Sequence, residues 1–443
     1  MEKNQVVEIN IDKLGMNGEG VGRVDNQVVF VPFALPNEKV KTICINNKNK
    51  FAIMKVTDVI SASSDRIVPP CPYFKKCGGC DLQHLKYEKQ LEFKTNLVKE
   101  TLLKVGKIDT TIEPCEKSKE YGYRNKASFP IVNENGYHIG MYRVNSHNLV
   151  DIDYCYLQKD SINKVLSVTK QWLNTLNENE TQSHNAKLKH LVIREIDGKI
   201  LITLVVSDKK VYKLDDYVKL LQNNFDDFGL NLNINKLDNN VILSNEYIHI
   251  YGNKDINIET NGVRQSINNA SFYQVNDDIK DKIYQFVTNK LKDDVIIDAF
   301  SGAGLLTSYL SKKAKKVYGL EIVRQASQSA DLLIKQNNIT NVENICGDCS
   351  ETLPKLVRKI NDSVSVVLDP PRKGCDKKVL EALIVSKPNK IVYIACSPIS
   401  LARDVNILLS SGLYKITCVK PFDMFPETKN VETVMVLEKI ATK

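Results

Sequence analysis

Residues 294–306 read "DVIIDAFSGAGLL", and this stretch gives the first indication of the fold. A short apolar run, typical of a buried parallel strand, ends at Asp298. Gly302 and Gly304 follow, and glycine lets the backbone turn sharply and pass close to a ligand. An apolar helical run comes next. Strand, glycine turn and helix in this order are typical of a doubly wound α/β sheet, whose ligands bind at the carboxyl ends of the strands.

The chain downstream repeats the pattern. Four further segments read as strands separated by helical runs: "KVYGLEIV", "VENICGD", "SVSVVLDPP" and "KIVYIACS". The last two segments, "YKITCVKPF" and "ETVMVLEKI", read as an antiparallel pair. We therefore predict an α/β domain over residues 261–443, and its terminal antiparallel pair favours the methyltransferase variant of this fold.

Two further domains are predicted upstream. Residues 1–60 contain short β-branched segments broken by "GMNGEG" and "LPNE", which indicates a small β-barrel. Lys39, Lys41, Lys48, Lys50 and Lys55 have no acid between them, and they suit either RNA phosphates or a solvated face. Residues 61–260 form a mixed α+β domain. It begins with a linker, continues with a helix over 86–105, and contains strands "HLVIREI" and "KILITLVV" around a "DGK" turn.

Composition narrows the class of protein. The 443 residues are 42% hydrophobic and 26% charged, as in soluble globular proteins. No stretch has the roughly 18 uncharged apolar residues of a membrane helix, and the N-terminus lacks a signal core. We expect a cytoplasmic protein without a membrane partner. The net charge of +8 is compatible with a nucleic-acid partner and equally with a mildly basic enzyme.

Acidic residues end two strands of the predicted α/β domain where a nucleotide would lie. Glu321 ends the second strand, where an acid suits the hydroxyl groups of ribose. Asp348 ends the third and could reach an adenine edge. An NAD site is the alternative, but position 307 is Thr, so the third glycine of G-x-G-x-x-G is missing. We interpret the C-x-x-C of Cys346 and Cys349 as incidental.

The next two strands end in groups that could react. Asp369 ends the fourth strand before two prolines, and Cys396 ends the fifth. A cysteine after an apolar run is usually a structural core residue. Its position at a carboxyl end instead makes Cys396 a candidate nucleophile. Glu432 enters the last strand and is the best candidate for a base.

A cysteine group lies near the start of the predicted central domain. Cys71, Cys77 and Cys80 occur in "CPYFKKCGGC", and eleven cysteines without a signal peptide indicate metal ligation or free thiols. Spacing does not separate an iron–sulfur site from a zinc site, since both use thiolates.

Taken in order, the motifs resemble one family. They are "VFVPFALPNEKV", "CPYFKKCGGCDLQH", "YRNKASF", "SFYQVN", "DAFSGAG", "LEIV", "DPPRKGC", "ACSPISLARD" and "FPETKNVETV". Together they resemble RNA uracil-C5 methyltransferases of the branch with an N-terminal TRAM barrel and a [4Fe–4S] cluster, over nearly the whole chain. The resemblance implies a class I S-adenosylmethionine-dependent methyltransferase domain over 261–443, an RNA-binding barrel over 1–60 and an iron–sulfur site in 61–260.

The resemblance also implies roles for individual residues. Cys396 would be the nucleophile and Glu432 the base. The S-adenosylmethionine contacts would be Gln274, Phe300, Glu321, Asp348 and Asp369. The cluster ligands would be Cys71, Cys77, Cys80 and, from "DIDYCYLQ", Cys155, with His84 structural. Arg124 and Lys126 carry charge for RNA, although a surface salt bridge is the alternative.

Two positions depart from the family pattern: Ser397 stands where Asn is common, and Asn430 where His is common. We expect a monomer that makes 5-methyluridine in 23S rRNA. The alternatives are the same reaction on tRNA, cytosine-C5 methylation, and an idle RNA-binding or ribosome-assembly protein.

Overall fold

The computed structural model describes residues 1–48, 50–176, 186–237, 239–268, 271–360 and 362–441. Their strands form a closed five-stranded barrel, a central seven-stranded sheet, a two-stranded hairpin and a C-terminal seven-stranded sheet. All strand segments predicted from the sequence lie within these four units.

The barrel follows the order β1-β2-β3-β5-β4 and confirms the all-β prediction. Its strands are β1 (Val6–Leu14), β2 (Gly20–Val24), β3 (Gln27–Val31), β4 (Lys39–Lys48) and β5 (Phe51–Ser61). Strand β2 was not predicted, because its glycines read as turn residues. A Cβ atom at Gly22 would lie 2.5 Å from the carbonyl oxygen of Asn10, so only glycine lets β1 and β2 approach this closely.

The lysine-rich stretch of the barrel is partly neutralised. Glu8 pairs with Lys39 at 2.7 Å and lies opposite Lys41 on the neighbouring strand. Asp58 lies opposite Lys41 on its other side. The linear sequence has no acid between these lysines, but strand pairing brings two acids beside them.

The central sheet has the order β12-β11-β10-β9-β6-β7-β8. Its strands are β6 (Lys126–Asn133), β7 (Tyr137–Tyr142), β8 (Leu149–Asp151), β9 (Leu188–Ile196), β10 (Lys199–Val206), β11 (Phe228–Ile234) and β12 (Tyr247–Gly252). Helices α2 (Asp160–Leu173) and α3 (Leu214–Gln222) cover its apolar face, where the rings of Trp172 and Tyr217 stack 4.6 Å apart. The predicted "DGK" turn joins β9 to β10.

Helix α1 (Tyr87–Gly106) matches the predicted helix, but it packs on the C-terminal domain. Val98 and Leu102 belong to the same apolar core as Leu401 and Val405 of the last helix. Hairpin β13 (Ile256–Thr260) and β14 (Val263–Ile267) packs between Leu201 of the central sheet and Tyr309 of the C-terminal domain.

The C-terminal sheet has the order β17-β16-β15-β18-β19-β21-β20. Its strands are β15 (Val295–Ala299), β16 (Lys316–Glu321), β17 (Val342–Cys346), β18 (Val364–Leu368), β19 (Lys390–Ala395), β20 (Tyr414–Phe422) and β21 (Glu432–Lys439). Its helices are α4 (Asp277–Lys290), α5 (Leu305–Leu310), α6 (Arg324–Gln336), α7 (Cys349–Val357), α8 (Lys377–Ser386) and α9 (Pro398–Ser410). Strands β15–β19 pair in parallel, and β20 and β21 form the predicted antiparallel pair. Strand β21 also pairs antiparallel to β19, which was not predicted.

Apolar side chains fill both faces of this sheet. Because parallel strands point the same way, their carboxyl ends meet at one edge, and the predicted site residues follow several of these strands. Over the described ranges, no helix combines the length and apolar character needed to cross a membrane.

Candidate active site

The turn after β15 combines an unusual backbone with open space. Phe300 has φ 66°, and Gly302 and Gly304 also have positive φ. A Cβ atom at Gly304 would lie 2.8 Å from the Cβ of Ala330, whereas one at Gly302 would meet no atom within 4 Å. The loop therefore needs glycine for packing at position 304 and leaves room for a ligand at position 302.

Glu321 closes this turn from the neighbouring strand. One carboxylate oxygen accepts a hydrogen bond of 2.8 Å from the N–H of Gly302, and the other accepts one of 2.7 Å from Val323. Asp348 lies two residues beyond β17 rather than at its end. It caps α7 by accepting a 2.8 Å hydrogen bond from the N–H of Ser350, and it is exposed.

Gln274 reaches the same edge from a different element. It lies just before α4, whose first turn Asn276 caps. Because α4 runs back along the sheet to the start of β15, its N-terminus lies at the carboxyl edge. The carbonyl oxygen of Gln274 accepts a 2.9 Å hydrogen bond from the side chain of Asn125, so the "YRNK" and "SFYQVN" segments are in contact.

Cys396 and Glu432 are brought together by strand pairing. Ala395 of β19 is the antiparallel partner of Thr433 of β21. Cys396 comes one residue after Ala395 and Glu432 one residue before Thr433, so they face each other at the end of the ladder. Glu432 is 5% exposed, whereas the Cys396 thiol is only partly buried.

The electrostatics of this pair have identifiable sources. Burial raises the pKa of Cys396, and the nearby Glu432 carboxylate raises it further. Burial likewise raises the pKa of Glu432 well above its usual value, with a second contribution from Asp369. The Arg372 guanidinium acts against both shifts, since it favours the charged forms. The thiol, both carboxyls and this cation therefore share one site.

Asp369 and one further acid, Asp298, also have raised pKa values. Burial raises the pKa of Asp369 to about 7. Burial also raises the pKa of Asp298 to about 7, while a hydrogen bond from the hydroxyl of Thr307 opposes that rise. Thr307 occupies the position of the missing third glycine, and its hydroxyl is used to hold Asp298.

The two departures from the family pattern make local hydrogen bonds. The Ser397 hydroxyl oxygen caps α9 by accepting a hydrogen bond of 3.4 Å from the N–H of Ser400. Serine and asparagine are both good helix N-caps, so either residue can begin this helix. The Asn430 side chain donates to the hydroxyl oxygen of Thr428 at 3.4 Å within its own loop.

Sequence reasoning missed Arg372. It stands three residues after Asp369 in the quoted "DPPRKGC" motif, and its exposed cation acts on both reactive groups. The available signal was a positive charge next to a strand end that already carried a candidate residue.

Comparison with known proteins identifies the family. The model of the family described as tRNA (Uracil-5-)-methyltransferase matches residues 86–440, and the TRAM domain model matches residues 1–52. The chain belongs to the uracil-5 methyltransferase family. It is an S-adenosylmethionine-dependent RNA uracil-C5 methyltransferase with an N-terminal TRAM barrel, as the motif order predicted.

Members of the uracil-5 methyltransferase family and related proteins align over almost the full chain. An uncharacterized RNA methyltransferase of Clostridium acetobutylicum is 38% identical, covering 99% of this chain and 98% of that protein. One from Clostridium tetani is 37% identical over 99% and 97%. Among solved structures, the Pyrococcus abyssi tRNA (uracil-54, C5)-methyltransferase in complex with S-adenosyl-L-homocysteine is 25% identical. It has a TM-score of 0.77 and covers 97% of this chain and 99% of that one.

The thiols of the four predicted cluster cysteines lie close enough to affect one another's pKa. All four are free thiols, and burial raises the pKa of each. The charge of Cys155 adds to this shift at Cys77 and Cys80, and Cys71 acts on Cys77 and Cys155. Within the described ranges, however, no group of three or more His, Cys, Asp or Glu side chains is arranged to hold a metal ion.

Hydrogen-bond donors surround these sulfurs. The N–H of Gly79 donates to the Cys77 sulfur at 3.4 Å, and the side chain of Gln83 donates to the Cys80 sulfur at 3.1 Å. His84 is fully buried and packs against the rings of Phe33 and Phe74. Burial lowers the pKa of His84 to about 3, so it is a neutral packing residue at physiological pH.

The predicted RNA cations lie beside Asn125. Burial, together with the neighbouring Arg194, lowers the pKa of Lys126 to about 8. Arg124 is half-buried, and within the described chain its Nε has no hydrogen-bond partner. Within the ranges that the structure describes, neither residue forms the surface salt bridge that was the alternative, so both stay candidates for contact with RNA.

Proposed function

We propose that Cys396 and Glu432 carry out uracil-C5 methylation on a uridine flipped into the carboxyl edge of the C-terminal sheet. The observation that carries this proposal is the cross-strand placement of the two residues beyond the Ala395–Thr433 pair. A nucleophile and a base must act on adjacent atoms of one ring, and two residues that face each other at the end of one ladder would meet this requirement.

The proposed reaction has three steps. The Cys396 thiolate adds to carbon 6 of uracil, which makes carbon 5 nucleophilic. Carbon 5 then takes the methyl group of S-adenosylmethionine and forms a C–C bond, as the sulfonium sulfur recovers the electron pair. Finally the Glu432 carboxylate removes the proton from carbon 5, the double bond re-forms, and the C–S bond to Cys396 breaks. The raised pKa of Glu432 makes its carboxylate a stronger base for this last step.

Five side chains, together with the open turn at Gly302, are proposed to hold the methyl donor. The turn at Phe300 and Gly302 would accept its body, with Glu321 and the more distant Asp348 directed to the nucleoside. Gln274 would donate its amide to the methionine carboxylate. Asp369 lies near Cys396, Glu432 and Asp298, as its effect on the pKa of each group indicates. Its role would be shared between the donor and the target base.

A [4Fe–4S] cluster on Cys71, Cys77, Cys80 and Cys155 is proposed as a prosthetic group. Four thiols in mutual electrostatic contact with N–H donors directed at sulfur fit such a cluster. A single zinc ion would need all four sulfurs at about 2.3 Å. The same four thiolates would also suit zinc, and it is the resemblance of the sequence motifs that favours the cluster. When bound, the cluster would cross-link the cysteine segment to Cys155.

The proposed substrate is 23S rRNA, bound with the help of the TRAM barrel, with the chain acting in the cytoplasm as a monomer. The same reaction on tRNA is the main alternative, and the similarity to the Pyrococcus abyssi tRNA enzyme favours it. Cytosine-C5 methylation would use the same nucleophile. An idle RNA-binding protein is disfavoured because both Cys396 and Glu432 are present and face each other.

The decisive experiment uses RNA tritiated at uridine carbon 5. The protein and S-adenosylmethionine are mixed with labelled 23S rRNA or tRNA, and tritium released to water is counted. We expect donor-dependent release that is faster with rRNA and absent for Cys396→Ala. Faster release from tRNA would identify the alternative substrate. Full activity of Cys396→Ala, or no release from either RNA, would refute the mechanism.

A further inference from the structure

The segment that delivers Glu432 to the site is residues 423–431, which we call the base loop. It connects β20 to β21 and contains "DMFPETKNV". The base loop is held from outside by α1 and by residues 77–82, which we call the cysteine turn.

Helix α1 fixes the beginning of the base loop. The Asp423 carboxylate forms an ion pair with Lys94, and both side chains are fully buried. Asp423 also accepts a 2.9 Å hydrogen bond from the hydroxyl of Tyr87. Lys94 donates a further hydrogen bond of 2.9 Å to the carbonyl oxygen of Phe425.

The cysteine turn fixes the end of the base loop. The carbonyl oxygen of Glu427 accepts hydrogen bonds of 3.0 Å from the N–H groups of both Asp81 and Leu82. In return, the Asp81 carboxylate accepts a 3.2 Å hydrogen bond from the N–H of Lys429. The contacts therefore run directly from the residue after Cys80 to a point three residues before Glu432.

Glu427 has an unfavourable backbone conformation that these contacts maintain. Its φ is 66°, which is uncommon for a residue with a side chain. Its side chain is 1% exposed, accepts a 3.1 Å hydrogen bond from Gln90, and its N–H donates back to Gln90 at 3.1 Å. Without these partners the base loop would relax toward ordinary backbone angles and carry Glu432 with it.

We propose that the cysteine turn positions the general base, with Asp81 and Glu427 as positioning residues for proton removal from carbon 5. This inference rests on the proposed function of Cys396 and Glu432. Disorder of the cysteine turn, including disorder after loss of its prosthetic group, would slow the last step of the reaction more than nucleophilic addition or methyl transfer.

The test exploits the order of the steps. If proton removal is slow, RNA that is already methylated stays covalently bound to Cys396. The measurement follows label from S-adenosylmethionine tritiated in the methyl group, in a protein–RNA adduct on a denaturing gel. RNA affinity and bound iron are measured on the same samples. The variants are Asp81→Ala, Asp81→Asn and the exposed helix α1 control Glu92→Ala.

For Asp81→Ala we expect turnover to fall by roughly 10–100-fold, as for a displaced catalytic group. The methylated adduct should accumulate, with RNA affinity and iron content unchanged. Asp81→Asn keeps an acceptor for the Lys429 N–H and should restore turnover, and Glu92→Ala should behave as wild type. Hydrogen exchange in residues 424–432 should be faster in Asp81→Ala alone.

Two results would overturn the inference. One is an Asp81→Ala variant that loses turnover without adduct, because methyl transfer is then equally impaired. The other is wild-type turnover in Asp81→Ala. Glu432→Gln serves as the positive control: if it forms no adduct, the proposed mechanism fails. If it forms adduct and Asp81→Ala does not, only the positioning role fails.

Discussion

Cys396 and Glu432 face each other across the ladder between β19 and β21, one residue beyond the pair Ala395 and Thr433. The two strands run in opposite directions, so the nucleophile follows one strand and the base precedes the other. In an all-parallel sheet every strand starts at the edge opposite the site. Because β21 is antiparallel, a residue at the start of this strand lies at the site.

Removing the base should trap the reaction near its end. Glu432→Gln keeps the shape of the side chain but cannot accept the proton, so we expect turnover to fall by about 10²–10⁴-fold. The methylated RNA adduct of Cys396 should accumulate, as seen by gel mobility under denaturing conditions. Glu438→Gln, on the same strand and half-exposed, is the matched control and should turn over normally. An equally slow formation of the adduct would argue against Glu432 as the base.

The rate should rise with pH. Both Cys396 and Glu432 must be deprotonated to act, and burial raises the pKa of both. We therefore expect kcat/KM to increase with pH through the neutral range and to keep increasing above pH 9.0, the ordinary pKa of a cysteine thiol. Arg372→Ala should move this rise to higher pH, since the guanidinium lowers both pKa values. A profile that falls over this range would contradict the assigned roles.

Asp369 should make the unliganded protein less stable at neutral pH. Its pKa is raised from 3.8 to about 7, so its contribution to stability is present below about pH 4 and is lost as pH rises through 7. That shift corresponds to at most about 4 kcal/mol, and partial hydration reduces the expected value to about 1–3 kcal/mol.

Asp369→Asn should accordingly raise the midpoint of thermal unfolding by several degrees at pH 8 and by much less at pH 4. Asp294→Asn is the control, because the Asp294 side chain is half-exposed and Lys315 lowers its pKa. An equal gain at both pH values would show that charge burial at Asp369 is not the cause.

Glu321 should control the affinity for the methyl donor. In Glu321→Gln one carboxylate oxygen becomes an amide N–H₂ group that faces the N–H of Gly302 or Val323. Hydrogen bonds to a charged group contribute about 1.5–3 kcal/mol, so we expect S-adenosylmethionine to bind roughly 10–150-fold more weakly. Calorimetry measures this, and Glu343→Gln on the neighbouring strand should bind normally. Unchanged affinity would remove Glu321 from the donor site.

Serine substitutions should separate ligand cysteines from the rest. In anaerobically purified protein we expect about four irons and four sulfides per chain. Cys71→Ser, Cys77→Ser, Cys80→Ser and Cys155→Ser should each lower that content sharply, whereas Cys346→Ser, at an exposed position, should leave it unchanged. If the protein instead contained stoichiometric zinc and no iron, the four cysteines would be assigned to a mononuclear zinc site and not to a cluster.

The order of elements was predictable because short apolar strands and glycine turns are local signals. Strands β15–β19 and the β20–β21 pair follow directly from them, as do Cys396 and Glu432 as members of one sheet edge. Strand β2 was not predicted because Gly20 and Gly22 resemble turn residues. In the structure, tight packing against β1 requires the glycine at position 22.

Long-range relationships were not predictable in the same way. No local pattern shows that α1 leaves the central region to pack on α9, or that Glu8 neutralises Lys39. The role of Arg372 and the contact between Asp81 and Lys429 depend on loops that meet only in the folded chain. Charges and hydrogen bonds between such loops determine the geometry of the site. A single sequence does not show which loops are in contact.

The buried pair of Lys94 and Asp423 has a consequence for synthesis of the chain. The two residues are 329 positions apart, so Lys94 emerges from the ribosome long before its partner. At roughly 5–20 residues per second the delay is on the order of half a minute. Burying an unpaired ammonium group is strongly unfavourable, so α1 cannot settle into its final place during that time. Helix α1 therefore reaches its final place, and methyltransferase activity begins, only after residues 423–432 have been made.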